Sequence, residues 1–436
     1  MMQRRGFLTL GAAGLALAAL PARAQTGADP VPVLTNWYKL TLQLVRHTAT
    51  YSPPVAARAF GYLGVIGYES VAACDPSMTS LAGQLNGLTP LPRPEPGAHD
   101  MAAVLQAALS TAVAHFFSNT GPSGQRAKAT MTRTQDARVA EGLAHDVLAR
   151  STALGQAIAA HVIAWADADG GAVIENMGFP MAYTPAADPS AWVPTSLIRQ
   201  QQAPLLPGWG EIRPFAMPAG DTCALPPPPA YSEEPGSAFH AEAMEVYTTS
   251  QSLTDEQKLI ARFWSDDPML SSTPPGHWIF IANDLITRRG LSLAVSVDMM
   301  ARLGIGMADA FIGCWQAKSE YNLLRPVTYI KRVIDPAWTP LINTPPFPEY
   351  PSGHSTVSGA AATVLTAVLG DGYAFDDHTH EREGMAPRRY DSFWQAADEA
   401  GISRLYGGIH FRAAIERGLA QGRCIGAFAA GLRTLS

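Results

Sequence analysis

The segment FPEYPSGHSTVSGAAATVLTAVL, residues 347–369, joins a proline-rich turn to a strongly helical run. Ser352 is a suitable N-cap, because its side chain can accept a hydrogen bond from the first helical turn. Gly353 leaves its backbone N–H bare, and free N–H groups at the start of a helix bind anions. The sequence therefore places an ionisable residue, His354, beside an anion-binding helix start.

Helical patterns of the same kind cover most of the chain. Apolar residues recur at spacings of three and four, and alanine is abundant. The predicted helices are 33–48, 54–73, 100–117, 136–168, 238–248, 254–264, 277–324 (broken near Gly290 and near Gly304 and Gly306), 354–369, 389–405 and 411–434. Strand signals are few. We expect an all-α protein built from two four-helix-type bundles packed together, with long proline-rich loops.

A proline-rich stretch at 179–236 reads as an ordered wrap or long loop. It divides the chain into an N-terminal helical half, 25–236 including the wrap, and a C-terminal helical half, 237–436, within one globular unit. Apolar residues make up 47% of the 436 residues and charged residues 16%, as in a folded globular protein. The net charge of −6 gives no general reason to bind nucleic acid.

Residues 1–24 have the features of an export signal. Arg4 and Arg5 precede a short apolar run, and Ala22-Arg23-Ala24 offers a small-residue cleavage site, which is typical of a twin-arginine signal. An ordinary secretory signal is the alternative. No later segment has about 18 uninterrupted apolar residues, so we expect no stable membrane insertion and a periplasmic or secreted protein. Four cysteines allow one disulfide in that compartment, with no pairing implied.

Three separate segments supply groups that bind oxyanions. Lys318 and Arg325 stand seven residues apart, so they share one helix face about 10 Å apart, and Pro326 marks the end of that helix. Each segment alone is consistent with a solvated surface or an ordinary helix cap. Together they provide three cations, a hydroxyl, a glycine N–H and two histidines, enough donors for every oxygen of a tetrahedral trianion. The second and third segments contribute Ser352, Gly353, His354, Arg404 and His410.

The order KxxxxxxRP, PSGH and SRxxxGxH resembles the three-part signature shared by vanadium-dependent haloperoxidases and type 2 phosphatidic acid phosphatases. The chain from about 263 onward is similar to the haloperoxidase branch. This resemblance implies a vanadate(V) cofactor bonded to His410. Its oxygens would be held by Lys318, Arg325, Ser352, Gly353 and Arg404, with Lys318 also polarising the reacting oxygen and His354 as the acid–base residue. The implied substrates are hydrogen peroxide, a halide and small organic acceptors.

Neighbouring residues favour the chloroperoxidase-like branch. Phe347, seven residues before His354, and Trp315, three before Lys318, match residues that line the halide site of chloroperoxidases. Asp267 in FWSDDP stands where those enzymes carry an aspartate that supports the acid–base histidine. One departure is Ala414, where phosphatases of this superfamily carry an aspartate that orients the ligand histidine. For His410, the side chain of Glu416 or a backbone carbonyl is the alternative partner.

Two other classes of function stay open from the sequence. A soluble periplasmic acid phosphatase would use the same pocket, with His410 as nucleophile and His354 protonating the leaving group. A non-catalytic oxyanion-binding protein would have no use for His354. Four further residues allow either a packing or a functional interpretation. His378 and His380 in FDDHTHERE fit a metal site or, more simply, a solvated loop, and His277 and Trp209 fit either an entrance or packing.

Overall fold

The computed structural model describes residues 27–175, 178–179, 183–196 and 202–435; the predicted export signal lies outside them. Fourteen helices and one two-stranded antiparallel sheet make up its regular structure. The all-α prediction is confirmed. The elements are α1 (Pro30–Arg46), α2 (Pro53–Ala72), α3 (Met101–Phe116), α4 (Pro122–Ala140), α5 (His145–Asp167), α6 (Gly171–Glu175), α7 (Ala238–Gln251), α8 (Asp255–Phe263), α9 (Thr273–Arg289), α10 (Leu293–Tyr321), α11 (Pro326–Val333), α12 (Gly353–Leu369), β1 (Phe375–Asp377), β2 (Arg388–Tyr390), α13 (Phe393–Tyr406) and α14 (Arg412–Ala430).

The long helix α10 lies at the centre and packs against α2, α12 and α14. The predicted break near Gly290 is confirmed, since Gly290 ends α9 in the left-handed conformation, with φ 61°. The predicted break near Gly304 and Gly306 is wrong, because α10 runs through both. A Cβ on Gly304 would lie 2.6 Å from the backbone oxygen of Phe60 in α2. That glycine therefore permits close helix packing rather than ending the helix.

Three other boundaries differ from the predicted ones. The segment predicted as one helix over 136–168 forms two, α4 and α5, because the chain turns at Gly142 with φ 75°. Residues 388–390 form β2, although the predicted helix begins at 389. The predicted helix end at Pro326 is wrong, because α10 ends at Tyr321 with Asn322 in the left-handed conformation. Lys318 and Arg325 therefore do not share one helix face, and Pro326 is the first residue of a new helix, α11, where proline is well tolerated.

The proline-rich stretch is a wrap, as expected: its described residues contain one short 3-10 turn, Trp209–Glu211. Three successive N–H groups of the wrap, those of Phe215, Ala216 and Met217, donate to the carboxylate of Asp309 in α10 at 2.6–2.8 Å. A disulfide joins Cys223 to Cys424 in α14. Trp209 is buried in the core and packs there, so it does not line an entrance. Three hydrogen bonds to Asp309 and one disulfide to α14 therefore fix the wrap to the central helices.

Helix α5 is long and apolar enough in composition to cross a membrane, and it is the one described helix that meets both conditions. One of its faces is buried against α3: a Cβ on Gly155 would lie 2.2 Å from the backbone oxygen of Val104. Core helices of globular proteins share this length and composition. The packing on α3 accounts for the apolar character of the buried face.

Replacing Asp309 by alanine is expected to lower the free energy of unfolding by about 3 kcal/mol, because it leaves three buried N–H groups without an acceptor. Burial raises the pKa of Asp309 to about 6, and the three N–H donors oppose that rise by stabilising the carboxylate. Urea denaturation of the variant would measure the loss. Asp221→Ala, on an exposed part of the same wrap, is the matched control. Equal unfolding midpoints for the two variants would contradict this role.

Candidate active site

The three predicted segments meet at one buried pocket. Lys318 comes from the last turn of α10, and Arg325 precedes α11 in an extended conformation. Ser352 and Gly353 begin α12, while Arg404 lies in the last turn of α13 and His410 in the loop before α14. The N–H of Ser352 donates to the backbone oxygen of Ala414 at 3.0 Å, which ties the start of α12 to the first turn of α14, just after the loop that carries His410.

His410 is held by a residue that the sequence analysis did not select, Glu349. The Glu349 oxygen Oε1 lies 2.8 Å from His410 Nδ1 and also accepts the backbone N–H of Phe411 at 2.9 Å. On the other side, Arg325 Nη1 lies 3.0 Å from His410 Nε2. A guanidinium can only donate, so Nε2 must be the acceptor and Nδ1 must carry the hydrogen. This network assigns the tautomer: the single lone pair of Nε2 accepts from Arg325, so Arg325 has to move aside before that nitrogen can bond a metal centre.

The charges around His410 keep its ring neutral. Burial, followed by the positive charges of Arg325 and Lys318, holds the pKa of His410 well below its ordinary range. Burial raises the pKa of Glu349 to about 8, although Arg325 pulls it down. Glu349 is therefore the group that orients His410 in place of the aspartate missing at Ala414. The partner is neither a backbone carbonyl nor Glu416, whose exposed carboxylate pairs with Arg412 at 3.8 Å.

Arg325 is fully buried and has one nitrogen without a partner. Its Nε donates to the backbone oxygen of Phe347 at 2.8 Å and its Nη1 to that of Ile409 at 2.9 Å. Its Nη2 has no hydrogen-bond partner among the described residues. Burial lowers the pKa of Arg325 to about 10, so the guanidinium stays charged. A buried, charged donor that lacks an acceptor destabilises the folded protein unless an anion accepts its hydrogen bond.

Lys318 is also buried, but its ammonium group is occupied. Nζ donates to the backbone oxygens of Pro348, Glu349 and Pro351 at 2.7, 3.0 and 2.6 Å. Burial lowers the pKa of Lys318 to about 7, against which three carbonyl acceptors favour the protonated amine. Lys318 therefore contributes positive charge to the pocket, and it has to give up one carbonyl before it can donate to an oxyanion.

Arg404 and the start of α12 complete the set. Arg404 donates from Nε to Ser403 Oγ at 2.9 Å and from Nη2 to the backbone oxygen of Trp264. Burial lowers its pKa to about 10, so it too stays charged. Ser352 is the N-cap of α12, as predicted, and accepts the N–H of Ser355 at 3.3 Å. A Cβ on Gly353 would stand within 4.0 Å of Phe311, Cys314 and Trp315, so a side chain there would take up room beside the helix start.

His354 is the pocket histidine that keeps some access to solvent, with 15% of its side chain exposed. Its Nε2 has no hydrogen-bond partner and lies 4.0 Å from Asp266 Oδ2. Burial, and then the positive charge of Arg404, holds the pKa of His354 well below its ordinary range, so the ring is a free base. The neighbouring carboxylate is Asp266, not Asp267 as expected: Asp267 lies near Arg404 instead, because the chain turns at Asp266 with φ 47°.

Phe347 and Trp315 lie together beside the cations, where the halide site was expected. Their ring centroids are 5.0 Å apart. Lys318 Nζ and Arg325 Cζ lie 5.1 and 5.0 Å from the centroid of the Phe347 ring. A cavity of about 190 Å³ borders Trp315 and Lys318 and is also lined by Tyr183 and Leu205. An anion or a small apolar molecule would therefore meet an aromatic wall with positive charge behind it.

Vanadate fits these residues on three observations. His410 presents a neutral imidazole whose Nε2 accepts from Arg325, Arg325 presents a further donor with no partner among the described residues, and the buried cations Lys318 and Arg404 lie near them. Imidazole is a good ligand for a Lewis-acidic metal centre, and guanidinium groups suit its oxygens. The residues of the pocket therefore fit an oxyanion such as vanadate.

Comparison with solved structures agrees with this geometry. The crystal structure of a bacterial vanadium-dependent iodoperoxidase is 38% identical, with a TM-score of 0.86 over 94% of this chain and 99% of its own. The chain therefore belongs to the vanadium-dependent haloperoxidases. Two structures of a bacterial vanadium-dependent chloroperoxidase, an apo and a holo form, share the fold, with TM-scores of 0.66 and 0.65 and identities of 15% and 16%. They cover 87% and 94% of this chain, and 93% and 95% of their own.

Sequence comparison identifies the same family. Residues 298–434 match the family model of the VCPO second helical-bundle domain. The vanadium chloroperoxidase of Curvularia inaequalis is 25% identical over 34% of this chain and 35% of its own length. That match thus spans about a third of the curated relative. The family-model match includes Lys318, Arg325, His354, Arg404 and His410.

Replacing Glu349 by glutamine is expected to weaken vanadate binding about tenfold to a hundredfold, because partners of ligand histidines contribute that much to metal affinity. The amide oxygen still accepts from Phe411 and His410, but the carboxylate charge that makes Nε2 more basic is lost, an effect that is fully present only above the Glu349 pKa of about 8. Vanadate titration by calorimetry would measure the change. Glu416→Gln is the matched control, since its carboxylate is exposed and does not contact His410. Similar affinities for the two variants would show that Glu349 has no such role.

Proposed function

We propose that this protein is a vanadium-dependent haloperoxidase that oxidises a halide with hydrogen peroxide to the hypohalous acid. The observation that carries the proposal is the assigned tautomer of His410, whose Nε2 lone pair faces the buried donors of Arg325. A histidine that only packs in a core does not need a carboxylate on one nitrogen and a guanidinium on the other. The 38% identical iodoperoxidase supports the same activity.

The protein residues would divide the work as follows. Vanadate, when bound, would supply a Lewis-acidic centre that activates peroxide while the vanadium keeps its oxidation state. Arg325, Arg404 and the N–H groups at the start of α12 would hold the oxyanion, each charged hydrogen bond contributing about 1.5–3 kcal/mol. His354, neutral and partly accessible, would take a proton from incoming peroxide or water. Lys318 would stabilise negative charge on the oxygens.

The alternative, an acid phosphatase with a phosphohistidine intermediate, requires an oxyanion in the same place. The experiment loads chelator-treated protein with vanadate or leaves it bare. Peroxide-dependent halide oxidation and phosphate-ester hydrolysis are then measured side by side. We expect halide oxidation that depends on vanadate, and ester hydrolysis that vanadate inhibits. Strong ester hydrolysis with no halide oxidation under any vanadate concentration would overturn the proposal.

Iodide is the halide that we propose as the preferred substrate. The relative that is 38% identical over 94% of the chain is an iodoperoxidase, whereas the chloroperoxidase structures, at 15% and 16% identity, indicate the fold alone. Phe347 and Trp315 would then line a halide site that binds iodide rather than chloride. Rates with iodide, bromide and chloride at one peroxide concentration test this preference. Faster chloride oxidation than iodide oxidation would contradict it.

We also propose that the protein is exported through the twin-arginine route and acts in the periplasm or outside the cell. The disulfide between Cys223 and Cys424 supports this, because such bonds persist in oxidising compartments. Changing both Arg4 and Arg5 to lysine should leave the protein inside the producing cells. Arg23→Lys, beyond the apolar run, is the matched control and should be exported normally. Equal export of both variants would refute this route.

A further inference from the structure

A second cluster of ligand side chains lies next to the oxyanion pocket. Asp266, His277 and His380 bring two histidine nitrogens and a carboxylate within 4.8 Å of one another, and all three residues are buried. We call them the Asp266 cluster. We propose that the Asp266 cluster is a binding site for a divalent transition metal of the zinc type.

The ring nitrogens of the two histidines are arranged as in metal sites. His277 Nδ1 lies 3.0 Å from both oxygens of Asp266, while its Nε2 lies 2.7 Å from Asp377 Oδ2. His380 Nε2 lies 3.5 Å from Asp266 Oδ1, while its Nδ1 lies 3.9 Å from Glu383 Oε2. Each histidine thus presents one nitrogen to the shared centre and the other to an outer carboxylate. Outer carboxylates of this kind orient metal-binding histidines and raise their basicity.

His380 provides the independent sign that a ligand is missing. Only 10% of its side chain is exposed, and its Nε2, 3.5 Å from Asp266 Oδ1, makes no hydrogen bond within the described residues. The rings of Phe263 and Trp264 pack against His277, and Phe263 also packs against His380. A buried ring nitrogen whose nearest polar neighbour is a carboxylate at the edge of hydrogen-bond distance is well placed to bind a cation that the carboxylate shares.

The donor set selects the class of metal. Two imidazole nitrogens and one carboxylate suit zinc and related first-row ions, whereas magnesium and calcium prefer oxygen ligands alone. Two buried carboxylates, those of Asp266 and Asp377, would balance the charge of a divalent ion. The segment FDDHTHERE is only partly solvated: Asp377 and His380 are buried, whereas Asp376 and Glu381–Glu383 are exposed. His277 is fully buried, so it does not line an entrance.

The test uses the full chain, stripped with a chelator and kept free of vanadate and phosphate. Zinc titration followed by elemental analysis should show one bound zinc per chain. His380→Gln should weaken binding about tenfold to a hundredfold or more. His378→Gln is the matched control: it lies two residues away in the same loop, pairs with Glu381, and should bind zinc as the unchanged protein does.

Cobalt(II) provides a second measurement that does not depend on a variant folding. Bound at two imidazoles and a carboxylate in a closed site, it should give strong visible absorption, which zinc displaces. Weak absorption typical of hydrated cobalt would overturn the proposal, as would zinc binding that His380→Gln leaves unchanged or that His378→Gln abolishes. A protein that binds no zinc would show that His277 is simply an imidazolium between two carboxylates. Its pKa in the metal-free protein supports that competing outcome: burial opposes the charge, but Asp266 and Asp377 raise the pKa to about 10.

Discussion

Replacing His410 by alanine is expected to abolish vanadate-dependent halide oxidation and to weaken vanadate binding by more than about a hundredfold. Loss of even an outer partner of a ligand histidine typically costs tenfold to a hundredfold in metal affinity, and here the ligand itself is removed. The variant also leaves Glu349, a fully buried carboxylate, with the Phe411 N–H as its one remaining donor. Calorimetric vanadate titration and an iodide oxidation assay measure the two effects.

The effect of the substitution on folding has to be distinguished from its effect on vanadate binding and activity. His115→Ala serves as the control, because His115 is exposed near the end of α3 and lies outside the pocket. Circular dichroism and the unfolding midpoint of His410→Ala should stay close to those of the control. A folded His410→Ala protein that binds vanadate as tightly as the control would show that the vanadium is not bonded to this imidazole.

Much of the pocket follows from sequence order alone. Ser352 caps α12, as the local rule predicts, whereas the spacing rule that put Lys318 and Arg325 on one helix face fails because α10 ends at Tyr321. Local rules do not show which carboxylate reaches which histidine. Glu349 lies 61 residues from His410 in sequence, and the bond between them exists because the 347–352 turn packs under the loop before α14. One signal was available: an acidic residue inside an otherwise apolar, proline-rich turn.

The differences in the fold have a common physical cause. At Gly304, the sequence shows a residue of low helix propensity, while the structure shows two helices packed closer than a side chain allows. Tertiary packing outweighs the local preference there. The Asp266 cluster is another case, since its members come from the turn after α8, from α9 and from the loop after β1. Asp267, one residue away, carries the same chemistry but lies near Arg404, and the sequence cannot distinguish two adjacent aspartates at a sharp turn.

Replacing His354 by alanine is expected to lower the turnover of halide oxidation about a hundredfold to ten-thousandfold, the usual contribution of a positioned acid–base group. Vanadate affinity should change by no more than a few-fold. The reason is geometric: among the pocket's ionisable residues, His354 has a partly exposed ring and a nitrogen with no hydrogen-bond partner. A group so placed can exchange protons with incoming peroxide, whereas the buried cations are committed to holding an anion.

The same variant distinguishes the three classes of function that the motifs allow. A haloperoxidase loses turnover with vanadate and peroxide, a phosphatase loses ester hydrolysis, and a pure oxyanion binder loses nothing measurable. Asp266 keeps His277 as its hydrogen-bond partner in the variant, so the fold beneath the pocket should survive. Steady-state rates with iodide, together with vanadate titrations on the same samples, separate turnover from binding. If His354→Ala oxidises iodide at the rate of the unchanged protein, the proton must move through another group, and the assigned role of His354 is wrong.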